Sequence, residues 1–312
     1  MSLRTTLRDA PSVARVVADH AELWIPGAVA WLVTVGWVVF LLAVVVLPGE
    51  GDLAFFATGV WSSSAWPLNA WLMAVTGVMA LLVGLALLGL AEVALWRWVA
   101  HVTGAPPHAR AVTAVWRLIA LEALSAVPVL VALLVLVGVA VTAVPDAFQT
   151  PDGGDLVARI VRPLAPGLAL VGVALFMAQA LAAAAGRRAL RGAPLGEAML
   201  GALADLRRAP AELATLAIGS ALISSGYAIG SWLLLRVLWA PIGAGLAAGS
   251  GIGAGAGLLL VGFVAIWLCL VLGGGAVHAW ASTWWTLELR IAAARPARPP
   301  TVVRTSEAGW PT

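Results

Sequence analysis

The sequence predicts an all-α polytopic membrane protein, with six transmembrane helices arranged as three parallel helical hairpins and joined by cytoplasmic interfacial helices. Composition, the placement of uncharged runs and the placement of arginine carry that prediction. Of 312 residues, 62% are hydrophobic and 11% are charged, against roughly 25% charged in an ordinary soluble domain. With a mean hydropathy of +1.00, a chain of this size has too few charges to cover a globule without leaving large apolar patches.

The elements follow in order. A helix needs about 20 apolar residues to cross about 30 Å of hydrocarbon. The uncharged runs 23–49, 53–91, 123–145, 163–186, 213–235 and 237–287 place helices near 24–47, 68–98, 115–143, 163–187, 211–238 and 257–288. The first run is longer than the 7–15 residues of a signal core, and VVVLPGEGD has no small-x-small cleavage site, so it reads as an anchor. Residues 53–67 carry Trp61 and Trp66 around a serine cluster and read as a segment lying at the interface. The glycine-rich stretch 241–257 reads as a turn or a re-entrant segment. Residues 1–290 form the membrane domain. The proline- and arginine-rich tail 291–312 reads as disordered.

All 18 basic residues are arginine. Without lysine there is no P-loop nucleotide site, pyridoxal Schiff base or serine–lysine hydrolase. Cys269 is the single cysteine, which excludes an intramolecular disulfide and any CxxC site. Fifteen arginines fall in segments 1–23, 97–117, 187–208 and 290–312, whereas loops 48–66 and 145–163 hold five acids. The positive-inside rule therefore puts both termini in the cytoplasm of the inner (plasma) membrane and requires an even number of spans.

Three segments begin alike, with Asp9-Ala10-Pro11, Gly104-Ala105-Pro106 and Gly192-Ala193-Pro194. Each leads into apolar residues at helical spacing: Val13, Val16 and Val17; Val112, Val115, Trp116 and Ile119; Leu195, Met199, Leu203 and Leu206. The proline suits a helix start, and the spacing suits an interfacial helix. A glutamate then stands where each outgoing helix begins, Glu22, Glu122 and Glu212. These features define repeat units of about 9–100, 104–188 and 192–290, parallel in the membrane, with an arginine-bearing collar suited to an anionic leaflet. The three glutamates read either as acids at one level that form a cation or proton site, or as first-turn acids that suit the helix macrodipole, with Arg117 and Arg207–Arg208 nearby as partners.

The stretch Arg187-Arg188-Ala-Leu-Arg191-Gly-Ala-Pro-Leu-Gly-Glu-Ala-Met-Leu-Gly-Ala-Leu, leading through Arg207-Arg208-Ala-Pro into an apolar helix, resembles the six-helix membrane domain attached to some glycerophosphodiester phosphodiesterases. It is also similar to stand-alone YciC-like membrane proteins. The resemblance implies a membrane domain without phosphodiesterase activity, since no residues remain to build the soluble catalytic barrel.

Polar groups inside spans are costly and mark candidate sites. Glu92, Gln179 and His278 lie on the three return helices at similar expected depth. They read either as a polar cluster lining a cavity or as separate residues that pair locally, with Glu92 reaching Arg97. Arg236 reads as an outer interface anchor. Ser220, Ser224, Ser225, Tyr227 and Ser231, with the Gly226/Gly230 GxxxG, read as a packing face on the fifth helix. Gly273-Gly274-Gly275 reads as close packing or a kink. Trp24, Trp96, Trp98, Trp116, Trp284 and Trp285 read as an inner aromatic belt, and Trp61, Trp66, Trp71 and Trp239 as the outer one. No histidine belongs to an HExxH pair and no serine sits in a nucleophile elbow, so no metal, cofactor or catalytic role is expected. The expected partners are membrane lipids, with another membrane protein or a second copy as alternatives. Nucleic acid is not expected, because the arginine excess is explained by orientation.

Overall fold

A computed structural model describes residues 3–45, 67–102, 111–149, 156–247 and 254–293, with Gly59 and Ser64 as isolated positions. All the regular structure among them is helical. Helix α1 (Leu3–Asp19) precedes α2 (Ala21–Val44), which runs through a 3-10 turn at Ala21–Leu23 and a π segment at Leu32–Gly36. Then come α3 (Leu68–Val102), α4 (Ala111–Gln149), α5 (Leu156–Leu190), α6 (Leu195–Arg208), α7 (Pro210–Ala247) and α8 (Ala254–Ala293). Six of these, α2, α3, α4, α5, α7 and α8, contain stretches long and apolar enough to cross a membrane. The chain is therefore an all-α polytopic membrane protein.

The helices outrun their predicted bounds. At about 1.5 Å per residue, the 40 residues of α8 reach about 60 Å, twice the hydrocarbon thickness. The glycine-rich stretch 241–257 is helical wherever it is described. Residues 241–247 continue α7 and residues 254–257 begin α8, because glycine is tolerated in a helix held against neighbours or lipid. The interfacial segment 53–67, the Gly104-Ala105-Pro106 motif and the tail beyond residue 293 lie outside the described residues, apart from Gly59, Ser64 and Pro67.

Two interfacial helices stand as separate elements, and the third does not. Helix α1 buries Val13 and Val17, four residues apart, and exposes Arg15, as an amphipathic helix should. Pro11 sits inside α1, not at its start. Helix α6 does start at its motif: Gly192 takes φ +100°, a left-handed conformation suited to glycine, and Pro194 is the extended N-cap residue. The buried line of α6 is Ala198 and Ala202, while Leu195 and Leu203 are exposed. Small side chains let its backbone approach α5, and the Arg188 guanidinium then lies over Gly201 and pairs with Asp205 Oδ2 at 2.6 Å. The apolar residues around Val115 and Trp116 belong instead to α4, which runs unbroken through them.

Helices α1 and α6 lie at one end of the bundle, here called the collar end. The largest core is there, joining Val13 of α1, Leu121 of α4, Ala180, Ala184, Ala185 and Ala189 of α5, Leu216 of α7 and Trp284 and Leu289 of α8. A second core at the far end joins Val39 and Ala43 of α2 to Leu235 and Ile242 of α7 and Phe263 of α8. Helix α2 packs against α3, α7 and α8, while α4 and α5 pair along their length.

The contact of α2 with α8 explains the triple glycine. A methyl group on Gly275 would meet the Trp24 carbonyl and the Ala28 backbone, so the two backbones touch. The Gly226/Gly230 pair has no such partner: a Cβ there would meet nothing within 4 Å. Close helix packing therefore falls to α8. The tryptophans also divide differently from the predicted belt. Trp96, Trp284 and Trp285 are core residues, whereas Trp71 and Trp116 are each 67% exposed.

Candidate functional site

The polar groups meet at the collar end. Glu92 on α3 receives His278 of α8, whose Nε2 lies 2.7 Å from Glu92 Oε1. The other carboxylate oxygen, Oε2, accepts a hydrogen bond from Ser282 Oγ at 2.9 Å and lies 3.3 Å from Arg187 Nη2 of α5. Arg187 Nη2 in turn donates to Ser282 Oγ at 2.6 Å and to the Ser282 carbonyl at 3.2 Å. Thr286 Oγ1 donates to that same carbonyl at 2.8 Å. One carboxylate thus ties the three return helices α3, α5 and α8 together.

Local sequence accounts for this convergence. His278 and Ser282 are four residues apart and share a helical face. Arg187 lies near the end of α5, where a cation suits the helix macrodipole. Ala184, Ala185 and Ala189, all buried, keep the neighbouring helices close enough for its guanidinium to reach inward. Side-chain exposure is 16% for Glu92, 10% for Arg187 and 23% for His278. A buried ion pair of this kind needs extra hydrogen bonds to offset desolvation, and Ser282 supplies them to both partners.

Gln179 does not join the cluster. It is exposed, while Ala178 and Ala180 beside it are buried, so its side chain leaves α5 on the outer face. Its expected place is taken by Arg187, two helical turns further along, which sequence reasoning counted among the orienting arginines. Ser282 was missed as well, although its four-residue spacing from His278 was visible. Arg97 is exposed and Glu92 does not depend on it.

The three repeated glutamates also part company. Glu22 and Glu212 lie in first turns, whereas Glu122 lies well inside α4, within electrostatic range of both Glu92 and Arg187. Among the described residues no group of three or more metal-ligating side chains forms. Elsewhere, Arg117 Nη1 donates to the Gly192 and Ala193 carbonyls at 3.3 and 3.4 Å, bracing the α5–α6 turn. Arg236 Nη1 donates to the Ala43 carbonyl at 3.2 Å, satisfying a carbonyl in the last turn of α2. On the serine-bearing face of α7, Ser220 Oγ donates to the Leu216 carbonyl of its own helix, and Tyr227 Oη donates to the Leu270 carbonyl of α8.

This geometry can fix three helices at one level, and it puts an imidazole and a carboxylate in proton-transfer contact. No protein-family model, curated protein or solved structure matches the chain.

Proposed function

We propose that this protein is a non-enzymatic, lipid-associated membrane module, with a fixed six-helix body lying in the inner membrane and both termini in the cytoplasm. The observation that carries the reading is the closure of the Glu92 node: both carboxylate oxygens are taken up by His278, Arg187 and Ser282 of the same chain. A site for a transported solute keeps ligating atoms available, whereas these are spent on one another. The placement of arginine supports the orientation. The partners proposed are membrane lipids, with a second copy or another membrane protein as the alternative. Three parallel hairpins remain the organisation proposed for the chain, with Gly192-Ala193-Pro194 as the clearest instance of the motif. The resemblance to glycerophosphodiester phosphodiesterase membrane domains and YciC-like proteins fits the same reading.

The test is mass spectrometry of lipids that co-purify with the full chain in mild detergent. Enrichment of particular lipids over the bulk membrane composition is expected, and recovery of bulk phospholipid alone overturns the reading. A second reading, a small transporter or permease component, is favoured by the contact between Glu92 and His278 across two helices, a pairing found in proton relays. Replacing Glu92, Gln179 and His278 together by alanine separates the two. Full complementation of every flux and growth phenotype of a deletion strain, at matched protein level, removes the transport reading.

A further inference from the structure

A pocket of about 470 Å³ opens between α1 and the membrane helices, lined by Ala14, Val17 and Ala18 of α1, Trp24 of α2, Ile223 of α7 and Trp280 of α8, among others. The volume falls within the roughly 300–1,000 Å³ range of sites that hold small molecules. Every lining residue is apolar or presents an indole, and both indole N–H groups are already engaged. Trp24 Nε1 donates to the Val17 carbonyl at 3.0 Å, and Trp280 Nε1 donates to the Ala10 carbonyl at 3.2 Å. These two bonds fasten α1 to α2 and α8 at points seven residues apart, leaving the alanine face of α1 standing over the gap.

The chemistry of the lining selects the occupant. Water needs polar partners to enter a cavity of this kind, and the lining offers almost none. The pocket is also continuous with an outward-facing surface: Ile223 is 47% exposed, Leu222 next to it on α7 is 67% exposed, and Gly226, one turn along the same face, is exposed with open space around it. An apolar chain can slide in from that face without crossing a polar barrier. The short side chains of Ala14 and Ala18 set the width, and the Trp24 and Trp280 rings supply flat apolar walls.

We infer that this pocket binds one acyl chain of a phospholipid from the leaflet on which α1 lies, held between the alanine face of α1 and the Trp24 and Trp280 rings. The inference rests on the lipid-associated reading and specifies where on the molecule that lipid is held. It makes α1 a clip over the lipid as well as a membrane-surface helix.

The test is photo-crosslinking. The full chain is reconstituted into phosphatidylethanolamine–phosphatidylglycerol vesicles containing a trace of phosphatidylcholine with a diazirine acyl chain, and the adducts are mapped by mass spectrometry. Adducts are expected to concentrate on α1 and on residues 276–280. Ala276→Trp, which fills the pocket from α8, and Ala18→Trp, which fills it from α1, are each expected to reduce those adducts about tenfold while adducts elsewhere stay constant, since a filled pocket leaves no apolar surface there to bury. Adducts spread evenly over the lipid-facing helices of the unaltered protein overturn the inference without any variant having to fold. Pocket labelling by diazirine palmitic acid but not by the phospholipid also overturns it, pointing to a free fatty acid instead. If particular lipids co-purify but the adducts avoid the pocket, the pocket assignment fails and the lipid-associated reading stands. If only bulk phospholipid co-purifies, that reading fails, whatever the adduct map shows.

Discussion

The two halves of α8 differ in composition and in surroundings, the collar half carrying His278, Ser282, Thr283, Thr286 and Glu288 and the far half no charged or hydroxyl side chain. Near the collar end, Ala279, Thr283 and Trp284 are at most 2% exposed, whereas toward the far end Leu258 is 75% and Val261 67% exposed. The same contrast separates the collar part of α3, where Leu95 and Val99 are buried, from its far part, where Leu72 and Val83 are exposed. Lipid is as apolar as leucine, so burying such a side chain against protein instead of lipid gains little from solvation. What distinguishes the collar end is its polar node, its small-residue packing and its two interfacial helices. Stability is therefore expected to concentrate there, while at the far end the smaller core of Val39, Ala43, Leu235, Ile242 and Phe263 is flanked by side chains that face outward.

Substitutions can break or sharpen this contrast. The largest effect is expected from Glu92→Ala, which leaves Arg187 buried without its carboxylate. Removing one partner of a buried ion pair costs about 3–5 kcal/mol, read as a lowered thermal midpoint in mild detergent. Combining it with Arg187→Ala is expected to cost less than the sum of the two single changes, as residues in one network do. Simple additivity would show that the node is not a unit.

Gly275→Val comes next, since it forces the α2 and α8 backbones apart. Overpacking of this kind costs about 1–3 kcal/mol, while Gly226→Val, facing open space, is expected to leave the midpoint nearly unchanged. A smaller loss is expected for Arg188→Ala, because its pair with Asp205 is partly exposed, with side-chain exposures of 32% and 25%. Such pairs contribute about 1 kcal/mol or less, and the loss should shrink further in high salt. Smallest of all is Leu258→Ala at the far end, expected within about 0.5 kcal/mol of the unaltered protein. A loss there as large as that of Gly275→Val would show that the far end is packed against something other than lipid.

The fold class was legible because span length and scarce charge are properties of whole segments. Helix ends were less so: α5 begins at Leu156 and runs through Pro163 and Pro166, although a proline invites a boundary. The pairing of Glu92 with His278 was within reach, since both stand alone as polar residues at matching depth. The outward turn of Gln179 was not, because each residue steps a helix by about 100° and a segment apolar all round gives no contrast from which to read its phase. Arg187 escaped notice for a related reason. Its neighbours Arg188 and Arg191 made the segment look like a solvated basic turn, and only the alanines behind it allow one guanidinium to reach the interior.

The π segment of α2 bears on how this chain tolerates insertion and deletion. Its turns hold more residues than α turns do, so Leu32–Gly36 works as a register offset between the two halves of the helix. Upstream, Trp31 lies buried against Gly274 of α8; downstream, Val39 and Ala43 meet α7. A return of these five residues to α pitch at unchanged length would rotate one half against the other by roughly a quarter turn and send one of the two contacts out to lipid, whereas loss of one residue together with that return would keep both contacts in register. The wide turn thus absorbs one residue more than an α-helix would place between Trp31 and Val39, and the segment is expected to tolerate the loss of that one residue better than a further insertion.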